Sequence, residues 1–115
     1  MAQILCVDDD QAALSLKRQI LERAGHHVTT SITVEAALAE MRKRNFDAVV
    51  TDWRLGDESG RAIVEAAKLN PNVPVVVVSG YVSEAFQAAK PAADLYLEKP
   101  VDPRELVQII QTLLA

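Results

Sequence analysis

The sequence predicts an α/β domain built on a doubly wound, five-stranded parallel sheet, and three observations carry that expectation. Apolar runs without polar alternation recur at Gln3–Val7, Ala48–Thr51 and Val75–Val78, as strands covered on both faces require. Between them, apolar residues return at helical spacing, the mark of helices with one buried face. The connections are short, so successive strands have to lie parallel with a helix crossing between them.

Each element has its own local reason. After Gln3-Ile4-Leu5-Cys6-Val7, the residues Ala13, Leu16, Ile20 and Ala24 fall on one helical face, widened by Leu14 and Leu21. Lys17, Arg18, Glu22 and Arg23 are expected on the opposite, solvated side. Asp10 suits the N-cap of that helix and Gly25 its C-terminal stop. His27–Thr30 makes a short second strand, with Val28 its one strongly apolar member. Thr33 caps a second helix that buries Val34, Ala37, Leu38 and Met41 and leaves Glu35, Glu40, Arg42, Lys43 and Arg44 outside.

The strand Ala48–Thr51 ends on Asp52, followed by a loop over Leu55–Gly60. The third helix turns Ile63, Ala66 and Ala67 inward and ends near Asn70-Pro71. After Val75–Val78, Ser83 opens a short helix over Glu84–Lys90, which Pro91 halts. A brief fifth strand follows, with the tail Leu95-Tyr96-Leu97-Glu98-Lys99-Pro100. Asp102-Pro103-Arg104-Glu105 is a capping box with proline at the first helical position. It starts a last helix with Leu106, Ile109, Ile110 and Leu113 aligned.

A chain of 115 residues is expected to be one domain, 1–115, large enough for a real core. Half of it is apolar but only 4% is aromatic, so Val, Leu, Ile and Ala must fill that core. The net charge of −4, without a Lys/Arg cluster, argues against nucleic acid as a direct ligand. Cys6, the single cysteine, lies mid-strand and reads as a buried free thiol. No apolar run reaches the ~18 residues of a membrane span, and the start lacks a signal peptide's basic region, so a reducing cytoplasm is expected. The chain stops one residue past its last apolar pair, which gives the expectation of a stand-alone domain or of a piece cut to look like one.

In a parallel sheet all strand tails emerge at one edge, where such sheets hold ligands. Here those tails are Asp8-Asp9-Asp10, Asp52, Ser79 and Lys99. With the order 2-1-3-4-5, the first and third strands are neighbours, bringing Asp8 and Asp9 close to Asp52. At ~4 Å and an effective dielectric near 20, each like-charged pair repels by roughly 4 kcal/mol. Such a cluster holds either protons or a cation. A few carboxylates at a wet edge suit Mg2+, which keeps several waters and favours phosphate oxygens. Lys99 and the Ser79 hydroxyl would then satisfy other oxygens of a phosphoryl group, and a carboxylate nucleophile needs no base. His26 and His27 sit at the opposite edge and read as a turn and a strand start.

Four motifs in order, each at a strand end, make the resemblance specific: Ile4-Leu5-Cys6-Val7-Asp8-Asp9-Asp10, Val50-Thr51-Asp52-Trp53-Arg54-Leu55 with Gly60, Val78-Ser79-Gly80-Tyr81, and Tyr96-Leu97-Glu98-Lys99-Pro100. On these the whole chain resembles the receiver domain of a two-component response regulator, a flavodoxin-like fold, here of the stand-alone type. The resemblance implies that Asp52 takes a phosphoryl group from a phosphohistidine on a sensor histidine kinase or a histidine phosphotransfer protein. It implies that Asp8, Asp9 and Asp52 hold Mg2+, Asp9 most directly, together with the backbone carbonyl of Arg54. Ser79 and Lys99 would bind the phosphoryl group, and Tyr96 would turn inward as Ser79 moves. It also implies a cis peptide before Pro100.

The expected readout surface is the Glu84–Lys90 helix, the fifth strand and the C-terminal helix, with Phe86, Gln87, Tyr96, Glu98 and Arg104 exposed. An unidentified downstream protein, and a homodimer formed on phosphorylation, are the expected partners; neither nucleic acid nor a membrane is. The domain would catalyse its own phosphorylation and dephosphorylation without being a turnover enzyme.

Several positions depart from the family pattern. Arg54, two residues past the nucleophile, and Tyr81, two past the hydroxyl, border the phosphoryl group and are expected to slow its hydrolysis. Gly56 replaces the usual proline, which predicts a freer loop. Pro91-Ala92-Ala93 replaces the usual Gly-Ala.

Three rival readings are weaker. An aspartyl-phosphate phosphatase would want an acid where Arg54 stands. A flavin carrier would need a phosphate-cradling loop where three aspartates stand. A receiver-like interaction module that never takes phosphate would not need competent residues at all five site positions.

Overall fold

Every residue of the two central strands is buried, and the alternation of side chains along them divides the core into two halves. The computed structural model describes residues 2–69, 73–80, 85 and 93–115. Its main sheet consists of β1 (Gln3–Val7), β2 (His27–Ser31), β3 (Ala48–Asp52), β6 (Val75–Ser79) and β7 (Leu95–Glu98), all parallel. Their order is β2-β1-β3-β6-β7, which is 2-1-3-4-5 once the separate hairpin β4 (Arg54–Leu55) and β5 (Glu58–Ser59) is set aside.

On one face Leu5, Val7, Val49, Val75 and Val77 pack with Val34 and Ala37 of α2 (Val34–Lys43) and Ile63, Val64 and Ala67 of α3 (Arg61–Lys68). On the other, Ile4, Cys6, Val50, Val76 and Val78 pack with Leu14 and Leu21 of α1 (Gln11–Arg23) and Leu106 and Ile110 of the C-terminal helix α4 (Pro103–Leu114). Truncating one of these buried Leu or Ile side chains to Ala costs about 2–5 kcal/mol. Among the described residues no helix is long and apolar enough to cross a membrane.

The helix starts follow their sequence signals. Asp10 Oδ1 accepts from the N–H groups of Ala12 at 3.0 Å and Ala13 at 3.2 Å. Thr33 Oγ1 accepts from Ala36 at 3.0 Å, and Asp102 Oδ1 from Arg104 at 2.8 Å. Gly25 follows α1 at φ +96°, a backbone state that favours glycine.

Two expectations need correction. The buried stripe of α1 is Leu14, Lys17 and Leu21, with side-chain exposure of only 14% at Lys17; Leu16, expected inside, is 54% exposed. Ala13, Ile20 and Ala24 flank that stripe as expected, and Lys17 is accommodated in the middle of it because an acidic partner waits at the sheet edge.

Nor is the segment after Asp52 a free loop. Arg54 and Leu55 pair antiparallel with Ser59 and Glu58, Gly60 N–H donates to Trp53 O at 2.6 Å, and Gly56 N–H donates to Asp9 Oδ2 at 2.9 Å. Gly56 lies at φ +64°, which proline, fixed near −65°, cannot adopt. The predicted helix over Glu84–Lys90, its Ser83 cap and its Pro91 stop lie outside the described residues, apart from Ala85, which is helical and buried.

Candidate functional site

Register decides which side chains meet. Val7 pairs with Thr51, so the two residues after them, Asp8 and Asp52, leave adjacent strands side by side. Asp52 pairs with Val78, one residue short of Ser79, and Ser79 pairs with Glu98, one short of Lys99. Asp8, Asp9 and Asp52 each bring a carboxylate oxygen to within 4.8 Å of the others. The convergence expected of the strand ends is therefore present.

Asp8 and Asp52 are each 1% exposed, whereas Asp9 faces solvent. Asp8 Oδ1 accepts from Asp10 N–H at 2.9 Å. Lys99 Nζ lies 2.9 Å from Asp52 Oδ2. Lys17 Nζ lies 2.9 Å from Asp8 Oδ2 and 3.4 Å from Asp52 Oδ1, bridging the two buried acids. The sequence pattern predicts Lys17 on the solvated face of the helix, so Lys17 is absent from the expected site. The spacing Leu14, Lys17, Leu21 was the available signal, since it puts the lysine on the stripe of two leucines.

Burial raises the Asp52 pKa to about 6 from the ordinary 3.8; the Lys17 charge opposes that, the contact with Asp8 adds to it, and Lys99 again opposes. Asp8 ends below the carboxylate range, because the Asp10 N–H, Asp52 and Lys17 together outweigh its burial. Lys17 is held above the ordinary lysine value because the two carboxylates outweigh its own desolvation.

The remaining predicted residues fall around this centre. Ser79 is 4% exposed at the end of β6. Arg54 is exposed at the start of the hairpin, two residues past Asp52. Gly60 packs beneath the site, where an added Cβ would stand 2.5 Å from the Asp52 carbonyl oxygen. The Lys99–Pro100 peptide is cis, as expected.

Tyr96 departs from expectation. It is half-buried against the α2/α3 side of the core, and its hydroxyl accepts from Ala93 N–H at 2.8 Å. Glu98 and Arg104 are exposed, while Tyr81, Phe86 and Gln87 lie outside the described residues. His26 takes no part, its Nδ1 accepting from Ala2 N–H at the far edge.

Three acids and two lysines at one point can bind a divalent cation and a phosphoryl group together. The donor set fits Mg2+: hard oxygen ligands, a buried pair and an exposed third acid leave room for water.

The model of the family described as "Response regulator receiver domain" matches residues 4–111. The two-component response regulator ARR10 of Arabidopsis thaliana is 34% identical over 113 residues, 95% of this chain and 20% of that protein. The chain spans about a fifth to a quarter of the length of the first curated relatives it matches. A receiver domain protein (CheY-like) from Methanospirillum hungatei superposes with a TM-score of 0.90 at 34% identity, covering 99% of this chain and 94% of that one. The response regulator TrrA from Thermotoga maritima, solved with Mg2+ and BeF, gives a TM-score of 0.88 at 27% identity and covers 99% of this chain and all of the other.

Proposed function

The chain belongs to the response regulator receiver domain family, and on that premise we propose that Asp52 is the phosphoacceptor of a two-component signalling unit spanning 1–115. The observation carrying this assignment is the meeting of Asp8, Asp9 and Asp52 with Lys99 at the carboxyl edge of the sheet. In the transfer, an Asp52 carboxylate oxygen forms a bond to phosphorus. The bond from phosphorus to the donor imidazole nitrogen breaks, its electron pair returning to the ring.

Asp8, Asp9 and Asp52, with the Arg54 carbonyl, would hold Mg2+, which when bound neutralises charge on the phosphoryl oxygens. Lys99 supplies an ammonium already directed at Asp52, and Ser79, at the end of the neighbouring strand β6, a hydroxyl. With a pKa of about 6, Asp52 is mostly ionised at neutral pH and ready to attack. The chain's own groups thus position and stabilise; none has to remove a proton.

The donor is a histidine kinase or histidine phosphotransfer protein, and the compartment is the cytoplasm. The domain promotes its own phosphorylation and dephosphorylation, the latter slowed by Arg54 and Tyr81, and is not a turnover enzyme. Its output is a downstream protein or a second copy of the phosphorylated chain, met at the surface around Tyr96, Glu98 and Arg104. The test is incubation with acetyl phosphate and Mg2+ followed by intact mass measurement. The wild type should gain one phosphoryl group and Asp52→Asn none; an adduct retained in the Asn variant would overturn the assignment.

A further inference from the structure

Phosphoryl transfer at Asp52 gives Lys17 no role. This residue is not at a strand end, yet its ammonium bridges Asp8 and Asp52, two of the three acids that would hold the metal ion. We propose that Lys17 is a resident counter-ion, and that Mg2+ enters this site by exchange with it.

The occupancy of the oxygens carries the inference. Asp8 Oδ1 is taken by the Asp10 N–H and Asp52 Oδ2 by Lys99. The remaining oxygen of each acid faces Lys17. An ion held by Asp9 and Asp52 would take the Asp52 oxygen that Lys17 now faces, and at the ~2.1 Å of a Mg–O bond it would stand within about 5.5 Å of Lys17 Nζ in its present place. Two cations so close in a buried setting repel strongly. Lys99 holds the other Asp52 oxygen and can stay, whereas Lys17 and the ion compete for the same one, so the Lys17 ammonium gives way.

A way out exists. An open cleft of about 500 Å3, lined by Asp8, Asp10, Ala13, Lys17, Lys99 and Val101, adjoins the site. The flexible lysine stem can swing into it while α1 stays on the sheet through Leu14 and Leu21. Lys17 then has two effects. It keeps the metal-free acids folded together, and it raises the concentration of Mg2+ the site requires.

This inference rests on the metal site proposed above, and the test separates the two. Mg2+ is titrated into the full chain by calorimetry, with Trp53 emission as a second signal, for the wild type and for Lys17→Met. The variant should bind Mg2+ about tenfold or more tightly than the wild type, and in EDTA it should melt lower. Equal or weaker Mg2+ binding by Lys17→Met would overturn the exchange while leaving the metal site standing. Absence of any Mg2+ binding in the wild type and variant alike would overturn both.

Should Lys17→Met not fold without metal, amine labelling of the wild type read by mass spectrometry gives the same answer. Lys17 should be protected in EDTA and labelled at saturating Mg2+; equal protection in both conditions would refute the exchange.

Discussion

Replacing Asp52 by Asn should stabilise the metal-free fold, and the gain should depend on pH. Asp52 is 1% exposed, and burial outweighs its two lysines, so its pKa stands at about 6 against the ordinary 3.8. That difference corresponds to about 3 kcal/mol favouring the neutral form. Between 3.8 and about 6 the native state binds this proton more tightly than the unfolded chain does. The associated stability is therefore complete below the lower value and lost as pH rises through the upper one. Asn keeps the neutral shape throughout and loses nothing.

At pH 7 in EDTA the variant should exceed the wild type by up to about 3 kcal/mol, or roughly 10 °C in Tm. Near pH 4 the two should converge. Asp8, held below the ordinary range, acts in the opposite sense: its contribution is lost only as pH falls below 3.8, outside this window. Urea denaturation followed by circular dichroism across the range is the assay. A variant less stable at pH 7, or a gain that does not change with pH, would refute the electrostatic account of the site.

Other outcomes follow from single contacts. Gly60→Ala would press a methyl against the Asp52 carbonyl oxygen and Thr51 Oγ1; we expect a loss of about 1–3 kcal/mol in denaturation together with weaker phosphorylation by acetyl phosphate. Gly56→Pro removes the N–H that holds Asp9 and cannot adopt φ +64°; Mg2+ affinity measured by calorimetry should fall about fivefold to tenfold. Gly56→Ala keeps that N–H, so it should lose about 1 kcal/mol of stability and little affinity. Cys6 is fully buried, and burial pushes its thiol up to about 12; a thiol reagent at pH 8 should label it only after denaturation, and rapid labelling of the native protein would contradict the packing.

The strands, the parallel winding and the caps were legible because each depends on local rules. Unbroken runs such as Val75–Val78 demand cover on both faces. Asp10, Thr33 and Asp102 satisfy helix donors within three residues of themselves. The gathering of Asp8, Asp9, Asp52, Ser79 and Lys99 was legible too, since parallel strands deliver all their tails to one edge.

What lay beyond the sequence depended on partners remote along the chain. Apolar periodicity gives a helix a buried face only to within the width of its stripe. Whether a charged residue on that stripe turns inward with it is set by what the helix packs against. Lys17 points in because two buried carboxylates from β1 and β3 need a cation there, and no window of sequence around it contains the second. The hairpin is the same case: Gly56 is fixed by Asp9, 47 residues away, and Gly60 by the backbone it packs against. Local physics chose the elements, and only the assembled sheet edge, with its concentrated negative charge, decided that a lysine could stand on the buried face of α1 and set the course of the chain beyond Asp52.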